Sequence, residues 1–317
     1  MSERALVFGA GGFIGRRVVH ALHARGASVI GVVRDAAVAR DALHRRSVSV
    51  PLVEADLAVA GSAAGLIRAY TPSVVFNLAG YGVDHTERDE ELAERMNHGL
   101  VRELAESCAP ASAWPAAALV HVGSALEYGT WTGVLDEAGP CLPTTAYGRT
   151  KLAGTQAVTD VARTRGTRAI TARLFTVFGE GEHEGRLFPA IGAAARAGVL
   201  LPLTDGRQPR DFAFVGDVAN ALARLADAAF DPGDVVNVGS GRLYTVQTFI
   251  REVARQVGLP ESLLGFGMLP TRAEEMWPAG VSVERMTRLL GAPLPGDLRE
   301  IVQRAVRDAQ SGSRPAQ

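Results

Sequence analysis

The amino-acid sequence predicts an α/β fold, with a doubly wound parallel sheet and a smaller, mostly helical C-terminal lobe. Short, nearly continuous apolar runs alternate with amphipathic helical stretches through the first half of the chain. Strands of that kind, buried on both faces, are typical of parallel sheets that helices cover on both sides. After residue 175 the alternation loosens and helices dominate. The length of 317 residues suits one large domain or two unequal ones.

The predicted strands are four to eight residues long, which is the usual length of a buried strand. They are Ala5–Phe8, Ser28–Val33, Val48–Val53, Ser73–Leu78, Ala117–Val122 and Arg168–Phe175. Helices are predicted at Glu91–Ser107, Tyr147–Arg165, Leu187–Ala197, Gly216–Ala229, Val246–Val257, Val281–Leu290 and Leu298–Ala309. We expect residues 1–175 to form the sheet domain, with 212–240 returning to it. Residues 176–211 and 241–317 would form the smaller lobe.

Composition and charge exclude several classes of protein. The net charge is −1 and no basic stripe is present, which argues against nucleic acid or an anionic membrane as a partner. No uninterrupted apolar run is long enough for a membrane helix, and no signal peptide opens the chain. Cys108 and Cys141 have no metal-ligand spacing. We therefore expect a cytoplasmic protein with reduced thiols and no metal site.

A glycine-rich turn follows the first strand and opens a helix: Gly9-Ala-Gly-Gly-Phe-Ile-Gly15. Glycines at this spacing permit a tight turn, a close approach to a pyrophosphate and close packing of helix on strand. The helix N-terminus offers free N–H groups and the positive end of its dipole to the phosphates. Because strand, turn and helix follow in the required order, the sequence predicts a Rossmann-type dinucleotide site. An ordinary strand–helix turn is the alternative for a glycine triplet taken alone.

The end of the second strand bears on which dinucleotide is bound. Proteins that bind NAD usually carry an acid there, which accepts hydrogen bonds from the adenosine ribose. Here the strand ends in Val33, and the guanidinium of Arg34, which follows, suits a 2′-phosphate. The alternative is that Asp35 takes the role of the acid and Arg34 is a solvated surface charge. The sequence favours NADP over NAD.

Tyr147 and Lys151 lie four positions apart at the start of a predicted helix, so they share one face. Lys151 is the only lysine among 33 basic residues. A phenol with its ordinary pKa of about 10 is a poor acid or base near neutrality, and a nearby ammonium lowers that pKa. Ser124 ends the fifth apolar run, where strands of a parallel sheet meet the ligand crevice. The three residues together predict proton exchange with a carbonyl or carbinol oxygen.

These motifs together resemble the extended short-chain dehydrogenases/reductases, in the branch of nucleotide-sugar epimerases, dehydratases and reductases. The likeness covers nearly the whole chain. Besides the glycine loop, it rests on Asp56-Leu57, Asn77-Leu-Ala-Gly80, Gly123-Ser-Ala-Leu-Glu-Tyr-Gly129, Tyr147-x-x-x-Lys151, Arg173-Leu-Phe-Thr-Val-Phe-Gly179, Asp205-Gly-Arg-Gln-Pro-Arg-Asp-Phe212, Val218-Ala and Asn237-Val-Gly-Ser-Gly241. It implies that Ser124, Tyr147 and Lys151 are catalytic and that Lys151 also binds the nicotinamide ribose.

The resemblance also implies the residues that contact ligands. Cofactor contacts are expected from Gly9, Gly12, Phe13, Ile14, Gly15, Arg34, Asp56, Leu57, Leu78, Ala79, Gly80, Tyr147, Lys151 and Phe175. Substrate contacts are expected from Ser124, Ala125, Tyr147, Thr176, Phe188, Arg210 and Arg272. The two arginines would clamp the diphosphate, since a planar guanidinium matches phosphate oxygens. Relatives pair two subunits as a four-helix bundle, so we expect a homodimer through helices 91–107 and 147–165.

Departures from the family pattern narrow the activity. Ala125-Leu126 replaces the Asp-Glu pair of the 4,6-dehydratases, so the acid and base for dehydration are missing. Glu127 stands where the family usually has an apolar residue, and strand alternation predicts that it faces the other way. Thr176 replaces a frequent asparagine, which puts substrate contacts there in doubt. Val33-Arg34 departs from the acidic strand end of the NAD-retaining epimerases.

The sequence therefore predicts NADPH-dependent reduction of a nucleotide-diphosphate-linked 4-keto-6-deoxyhexose. Three alternatives stay open: an NAD(P)-retaining nucleotide-sugar 4-epimerase, a reductase of a non-sugar ketone, and a non-catalytic nucleotide sensor. We expect Asn77 and His121 to be satisfied polar groups of the core, and His183 to be a solvated loop residue.

Overall fold

The structure, a computed structural model, describes residues 4–83, 86–110, 118–271 and 274–312. Its strands are β1 (Arg4–Phe8), β2 (Ser28–Val33), β3 (Leu52–Glu54), β4 (Val74–Asn77), β5 (Ala118–Ser124), β6 (Val134–Leu135), β7 (Ala169–Leu174), β8 (Thr176–Phe178), β9 (Leu201–Pro202), β10 (Pro209–Phe214), β11 (Asp234–Val238), β12 (Leu243–Thr245), β13 (Leu264–Gly265) and β14 (Gly280–Val281). Its α-helices are α1 (Phe13–Ala24), α2 (Ala36–His44), α3 (Ser62–Tyr70), α4 (Glu90–Glu94), α5 (Leu100–Ser107), α6 (Ala146–Arg165), α7 (Leu187–Ala197), α8 (Val215–Leu225), α9 (Val246–Val257), α10 (Glu284–Leu290) and α11 (Leu298–Gly312). A π-helical segment, Arg95–Gly99, joins α4 to α5, and 3₁₀ helices cover Ala125–Glu127 and Glu261–Leu263.

Seven strands form the central sheet in the order β11-β7-β5-β4-β1-β2-β3, and all neighbours are parallel. Consecutive side chains of β1 enter different cores because side chains alternate between the faces of a strand. Ala5 and Val7 pack in the core that includes α1 and α8, whereas Leu6 and Phe8 pack in the core that includes α3, α5 and α6. The predicted doubly wound parallel sheet is confirmed. Its direction of winding reverses between β1 and β4, which opens a crevice at their carboxyl ends.

The third strand is shorter than predicted. The sequence placed it at Val48–Val53, whereas β3 begins at Leu52. Pro51 has no N–H to donate to a sheet ladder, although its carbonyl accepts a hydrogen bond of 2.9 Å from the N–H of Gly31. Arg272 and the predicted strand start at Ala117 lie outside the described residues.

Outside the central sheet, the described residues form short strands as well as the predicted helices. β12, β10 and β8 form a three-stranded sheet, and β13–β9 and β14–β6 pair as two-stranded sheets. Four phenylalanines join these strands to the helices. The rings of Phe212 and Phe249 stack at 4.1 Å between centroids, and Phe178 lies 4.9 Å from Phe249 and 5.6 Å from Phe188.

A cluster of four charged residues ties the last helix to the first. Arg17 on α1 is 6% exposed and pairs with Asp308 on α11 and, at 3.1 Å, with Glu180. Arg46 pairs with Glu180 at 2.9 Å and with Asp308 at 3.0 Å. Each acid thus bridges both arginines. Of the helices that the structure describes, none combines the length and apolar character needed to cross a bilayer.

Candidate active site

A cleft of about 870 Å³ opens at the carboxyl ends of the central strands. It is lined by residues of the glycine turn, of the ends of β2 and β3, and of the segment after β4. The predicted cofactor residues among them are Gly9, Gly12, Arg34, Asp56, Leu57, Leu78, Ala79 and Gly80. The cleft is therefore in the place where a doubly wound sheet binds its ligand.

The glycine turn has the shape that a dinucleotide needs. Gly9 has φ +77°, and a Cβ atom there would lie 2.8 Å from the backbone of Leu78 and Ala79. A Cβ atom at Gly15 would lie 2.0 Å from the carbonyl oxygen of Gly9, so α1 packs against the turn only because this residue is glycine. The helix begins at Phe13 with no side-chain cap, and its first N–H groups are left for an anion. These residues fit the pyrophosphate of NAD(P).

Three charged groups lie where the adenosine ribose of such a cofactor would be held. Arg34 is exposed and lines the cleft. Asp35 is the N-cap of α2, and its carboxylate accepts hydrogen bonds from the N–H groups of Ala37 and Val38 at 2.9 and 3.0 Å. Glu54, at the end of β3, accepts a bond of 2.8 Å from the N–H of Ala36. Asp35 thus has a structural task that Arg34 does not share.

Ser124, Tyr147 and Lys151 lie together at the end of β5 and the start of α6. Thr145 caps α6 by accepting a bond of 3.0 Å from the N–H of Gly148. The Ser124 side chain lies close enough to the Tyr147 phenol to lower its pKa. Lys151 is 3% exposed, and its Nζ donates a bond of 2.6 Å to the carbonyl of Val122, two residues before Ser124. The geometry joins the predicted trio, whose catalytic roles stay predictions.

Burial sets the protonation of this site. It raises the pKa of the Tyr147 phenol above its ordinary value; the charge of Glu127 adds to the rise, and the Ser124 side chain opposes it. Burial also lowers the pKa of the Lys151 ammonium to about 8, against the opposing effect of Glu127. The sequence predicted that Lys151 lowers the pKa of Tyr147. In the structure the phenol pKa is raised instead, because desolvation dominates and the ammonium donates to Val122. Tyr147 is thus held as a proton donor.

Glu127 is fully buried, and sequence reasoning assigned it no role. β5 ends at Ser124 and a 3₁₀ turn follows, so strand alternation does not govern the direction of Glu127. The turn folds its carboxylate back into the protein, where it binds the N–H of Ser124 at 2.8 Å and Nε of Arg173 at 2.7 Å. An acid at a usually apolar position was the signal in the sequence. Its partner could not be identified without the fold.

Asn97 in the π-helical segment is a second residue that the sequence did not single out. It is fully buried and donates to the carbonyl of Tyr81 at 2.7 Å and to Oγ1 of Thr150 at 3.0 Å, while its Oδ1 accepts from the N–H of Tyr81 at 3.0 Å. Asn97 therefore fixes the segment after β4 against the helix that carries Tyr147. In that segment, a Cβ atom at Gly82 would lie 3.4 Å from the Tyr147 ring.

The predicted substrate residues differ from one another in burial and in hydrogen bonding. Thr176 is half-buried in β8, and Phe188 is buried against Phe178, so core packing accounts for that ring. Arg210 donates to Glu275 and to the Met276 carbonyl, both at 2.8 Å, and to the Pro209 carbonyl at 2.7 Å. These bonds use three of the five N–H donors of a guanidinium. Ala125 begins the 3₁₀ turn after Ser124.

The remaining predicted cofactor residues are not among those that line the cleft. Phe13, Ile14 and Phe175 are partly buried against the cores, and Gly15 is buried within α1. Asn77 and His121 are fully buried and bond each other at 3.1 Å. The expectation of satisfied core polar groups is met by Asn77 but not by His121, whose Nε2 is buried without a hydrogen-bond partner among the described residues. Burial lowers the pKa of His121 well below its ordinary value, so its ring is neutral. His183 lies exposed in the loop before α7.

Comparison with known proteins agrees with the geometry of the cleft. The model of the NAD dependent epimerase/dehydratase family matches residues 5–239. The chain is 32% identical over 274 residues to dTDP-6-deoxy-L-talose 4-dehydrogenase (NAD(P)(+)) of Kitasatospora kifunensis, an alignment that covers 82% of this chain and 81% of that protein. It is 32% identical over 206 residues to UDP-glucose 4-epimerase of Corynebacterium glutamicum, covering 59% of this chain and 61% of that protein.

A solved structure shares the whole architecture. MoeE5, in complex with UDP-glucose and NAD, superposes with a TM-score of 0.81 at 27% identity, covering 97% of this chain and 98% of its own. Two of these three proteins are named for a nucleotide sugar, and the third is in complex with one. By its glycine turn, its Ser-Tyr-Lys site and the match over residues 5–239, the chain is an enzyme of the NAD-dependent epimerase/dehydratase family, within the extended short-chain dehydrogenases/reductases.

Proposed function

We propose that the enzyme reduces a nucleotide-diphosphate-linked 4-keto-6-deoxyhexose with NADPH. The observation that carries the choice of cofactor is Arg34, an exposed guanidinium on the cleft at the end of β2, beside an Asp35 engaged as a helix cap. A guanidinium there suits the 2′-phosphate of NADPH. The similarity to a talose 4-dehydrogenase that uses NAD(P)(+) supports chemistry at C4 of a deoxysugar.

The site supplies the groups that ketone reduction needs. When bound, NADPH supplies the hydride that adds to the keto carbon. Tyr147, held as a phenol by burial, donates its proton to the carbonyl oxygen, which becomes the hydroxyl of the product. Ser124 donates a hydrogen bond that orients this oxygen, and Lys151 supplies positive charge beside the phenolate that forms. A protonated tyrosine is the form that starts reduction.

Dehydration has less support. It requires an acid and a base beside C5 and C6 of the sugar, and Ala125 and Leu126 offer neither. Glu127 is the next residue in the sequence after Leu126, but its two carboxylate oxygens already bind the N–H of Ser124 and Nε of Arg173. The site thus retains the proton donor for a keto group and lacks the pair for water elimination.

The test is steady-state reduction of dTDP-4-keto-6-deoxyglucose by the wild type and by Tyr147→Phe. We expect NADPH oxidation by the wild type and a loss of turnover of about 100-fold or more in the variant, the usual contribution of a general acid. NADPH should still bind to the variant with unchanged affinity. Full turnover by Tyr147→Phe would overturn the mechanism.

The rival is a 4-epimerase that retains NAD and uses the same trio. The similarity to a UDP-glucose 4-epimerase and to MoeE5 with NAD favours it, as does the presence of Asp35 and Glu54 on the ribose side of the cleft. The absorbance of the purified protein separates the two functions. Tightly held NAD that resists dialysis would support the epimerase, whereas weak and reversible binding with a preference for NADPH would support the reductase.

A further inference from the structure

A buried carboxylate lies directly behind the reactive end of β5. Glu127 has no exposed surface, and its Oε1 accepts the Ser124 N–H at 2.8 Å. The Ser124 hydroxyl in turn accepts from the N–H of Leu126 at 3.2 Å, so serine and glutamate cap the same turn reciprocally. This leaves the hydroxyl proton of Ser124 to donate elsewhere. The position of the serine thus depends on the glutamate.

An arginine pairs with Glu127 in the interior of the protein. Arg173 on β7 is 3% exposed and donates from Nε to the second oxygen of Glu127 at 2.7 Å. The guanidinium also lies 4.6 Å from the centre of the Tyr128 ring and donates to Sγ of Cys141 at 3.3 Å. A Cβ atom at residue 123 would lie 2.6 Å from Oε1 of Glu127, so Gly123 provides the space for the carboxylate. Glu127 and Arg173 therefore form a buried ion pair, not a solvated surface contact.

Lys151 binds the same short stretch of backbone. Its Nζ binds the carbonyl of Val122, and Glu127 binds the N–H of Ser124, so the two opposite charges bracket three residues of β5. Both side chains are buried, and charges in the interior of a protein interact far more strongly than charges at its surface. The other titratable groups that face Lys151 are Tyr147, on its own helix, and the neutral His121 on β5.

We propose that Glu127 is a positioning residue of the reductase, which fixes the backbone at Ser124 and places a buried negative charge behind Tyr147 and Lys151. The expected effect of Glu127 on turnover rests on the proposed function. Its expected effect on the charge of Lys151 does not, because that charge can be measured without substrate. A neutral Lys151 would offer no positive charge to the phenolate that forms at Tyr147.

The experiment uses the fact that the chain has one lysine. In protein grown with ε-¹³C-labelled lysine, one carbon resonance reports the ionisation of Lys151. We expect its midpoint near pH 8 in the wild type, the value that burial and Glu127 give the pKa of Lys151. In Glu127→Gln, which keeps an acceptor for the Ser124 N–H, the midpoint should fall by about one pH unit or more.

Two further variants keep the test decisive. Glu127→Gln leaves Arg173 charged and buried, which can prevent folding. The double variant Glu127→Gln/Arg173→Met removes both charges and should fold, since neutral groups often replace a buried ion pair without loss of stability. Its midpoint should also lie below that of the wild type. Cys141→Ser is the control: it alters a contact of Arg173 but no charge, and its midpoint should equal that of the wild type.

The outcomes separate the two proposals. An unchanged Lys151 midpoint in the double variant would overturn the role of Glu127, whatever the enzyme reduces. A lowered midpoint in a protein that turns over no 4-keto sugar nucleotide would support Glu127 and refute the proposed function. If both hold, the alkaline limb of kcat/KM for reduction moves to lower pH in Glu127→Gln, a change that loss of packing alone would not produce.

Discussion

Removal of the Arg34 guanidinium should change the choice of cofactor and little else. The side chain is exposed on the cleft at the end of β2, and the structure gives it no structural bond. A hydrogen bond to a charged group contributes about 1.5–3 kcal/mol, which corresponds to a factor of about 10–150 in affinity. Because water and salt screen an exposed charge, we expect the lower end for Arg34→Ala. NADPH binding should weaken about tenfold, and NADH binding should not change.

The assay is titration of the wild type and the variant with NADPH and NADH, followed by nicotinamide fluorescence. Arg40→Ala is the matched control, because Arg40 is an exposed arginine of α2 that does not line the cleft. It changes the net charge equally and should leave both affinities as they are. The weakening in Arg34→Ala should also shrink as salt is added.

Asp35→Asn tests the competing interpretation. Asparagine caps a helix about as well as aspartate, so α2 should persist. If Asp35 held the adenosine ribose, NADH binding would weaken in this variant. The reasoning about Arg34 would be refuted by an Arg34→Ala protein whose ratio of NADPH to NADH affinity equals that of the wild type.

Three further predictions concern stability and assembly. Gly15→Ala puts a Cβ atom 2.0 Å from the Gly9 carbonyl, so it should lower the unfolding free energy by about 1–3 kcal/mol and abolish dinucleotide binding. Gly65→Ala is the control, because a Cβ atom at this position of α3 would have no atom within 4 Å and should not destabilise the protein. Urea denaturation measures the unfolding free energy of both variants. Lys151→Met should remove a penalty of about 3 kcal/mol at neutral pH, because the pKa of Lys151 is about 8 folded and 10.5 in its ordinary state. It also leaves the Val122 carbonyl without its hydrogen bond, at a cost of about 1–3 kcal/mol, so the net stabilisation should be smaller than the penalty removed. The unfolded wild type holds the extra proton between those values, so the stability of the wild type relative to Lys151→Met should rise with pH there. The other titrating groups are common to both proteins and do not affect this difference. The expected homodimer through helices 91–107 and 147–165 is checked by sedimentation equilibrium, and a monomer at micromolar concentration would contradict it.

Local chemistry made much of the fold and the cofactor cleft predictable. The turn from Gly9 to Gly15 can be recognised because each glycine answers a steric demand of the backbone, which the sequence shows directly. The alternation of buried strands and helices likewise follows from periodicity. The single lysine identified α6 as a candidate catalytic helix for a similar reason, since the rarity of a residue type can be counted in the sequence alone.

Contacts between distant segments were not predictable in the same way. Glu127 and Arg173 are 46 residues apart, and Asn97 meets Tyr81 and Thr150 from a π-helical segment. Strand alternation did not describe the orientation of Glu127 because β5 had already ended. The net rise in the pKa of Tyr147 was not predicted, because desolvation depends on the whole fold, whereas the effect of a neighbouring charge can be inferred from sequence spacing.

The four-residue charge cluster has a consequence for the order in which the chain can complete its fold. Arg17 lies near the start of the chain and Asp308 near its end, 291 residues later. During synthesis the ribosome releases both arginines and Glu180 long before Asp308 exists. The nascent protein thus carries an incompletely neutralised pair of arginines, one of them on α1. α11 therefore completes the cluster last, and a chain that stops before residue 308 would leave Glu180 as the single acid shared by Arg17 and Arg46.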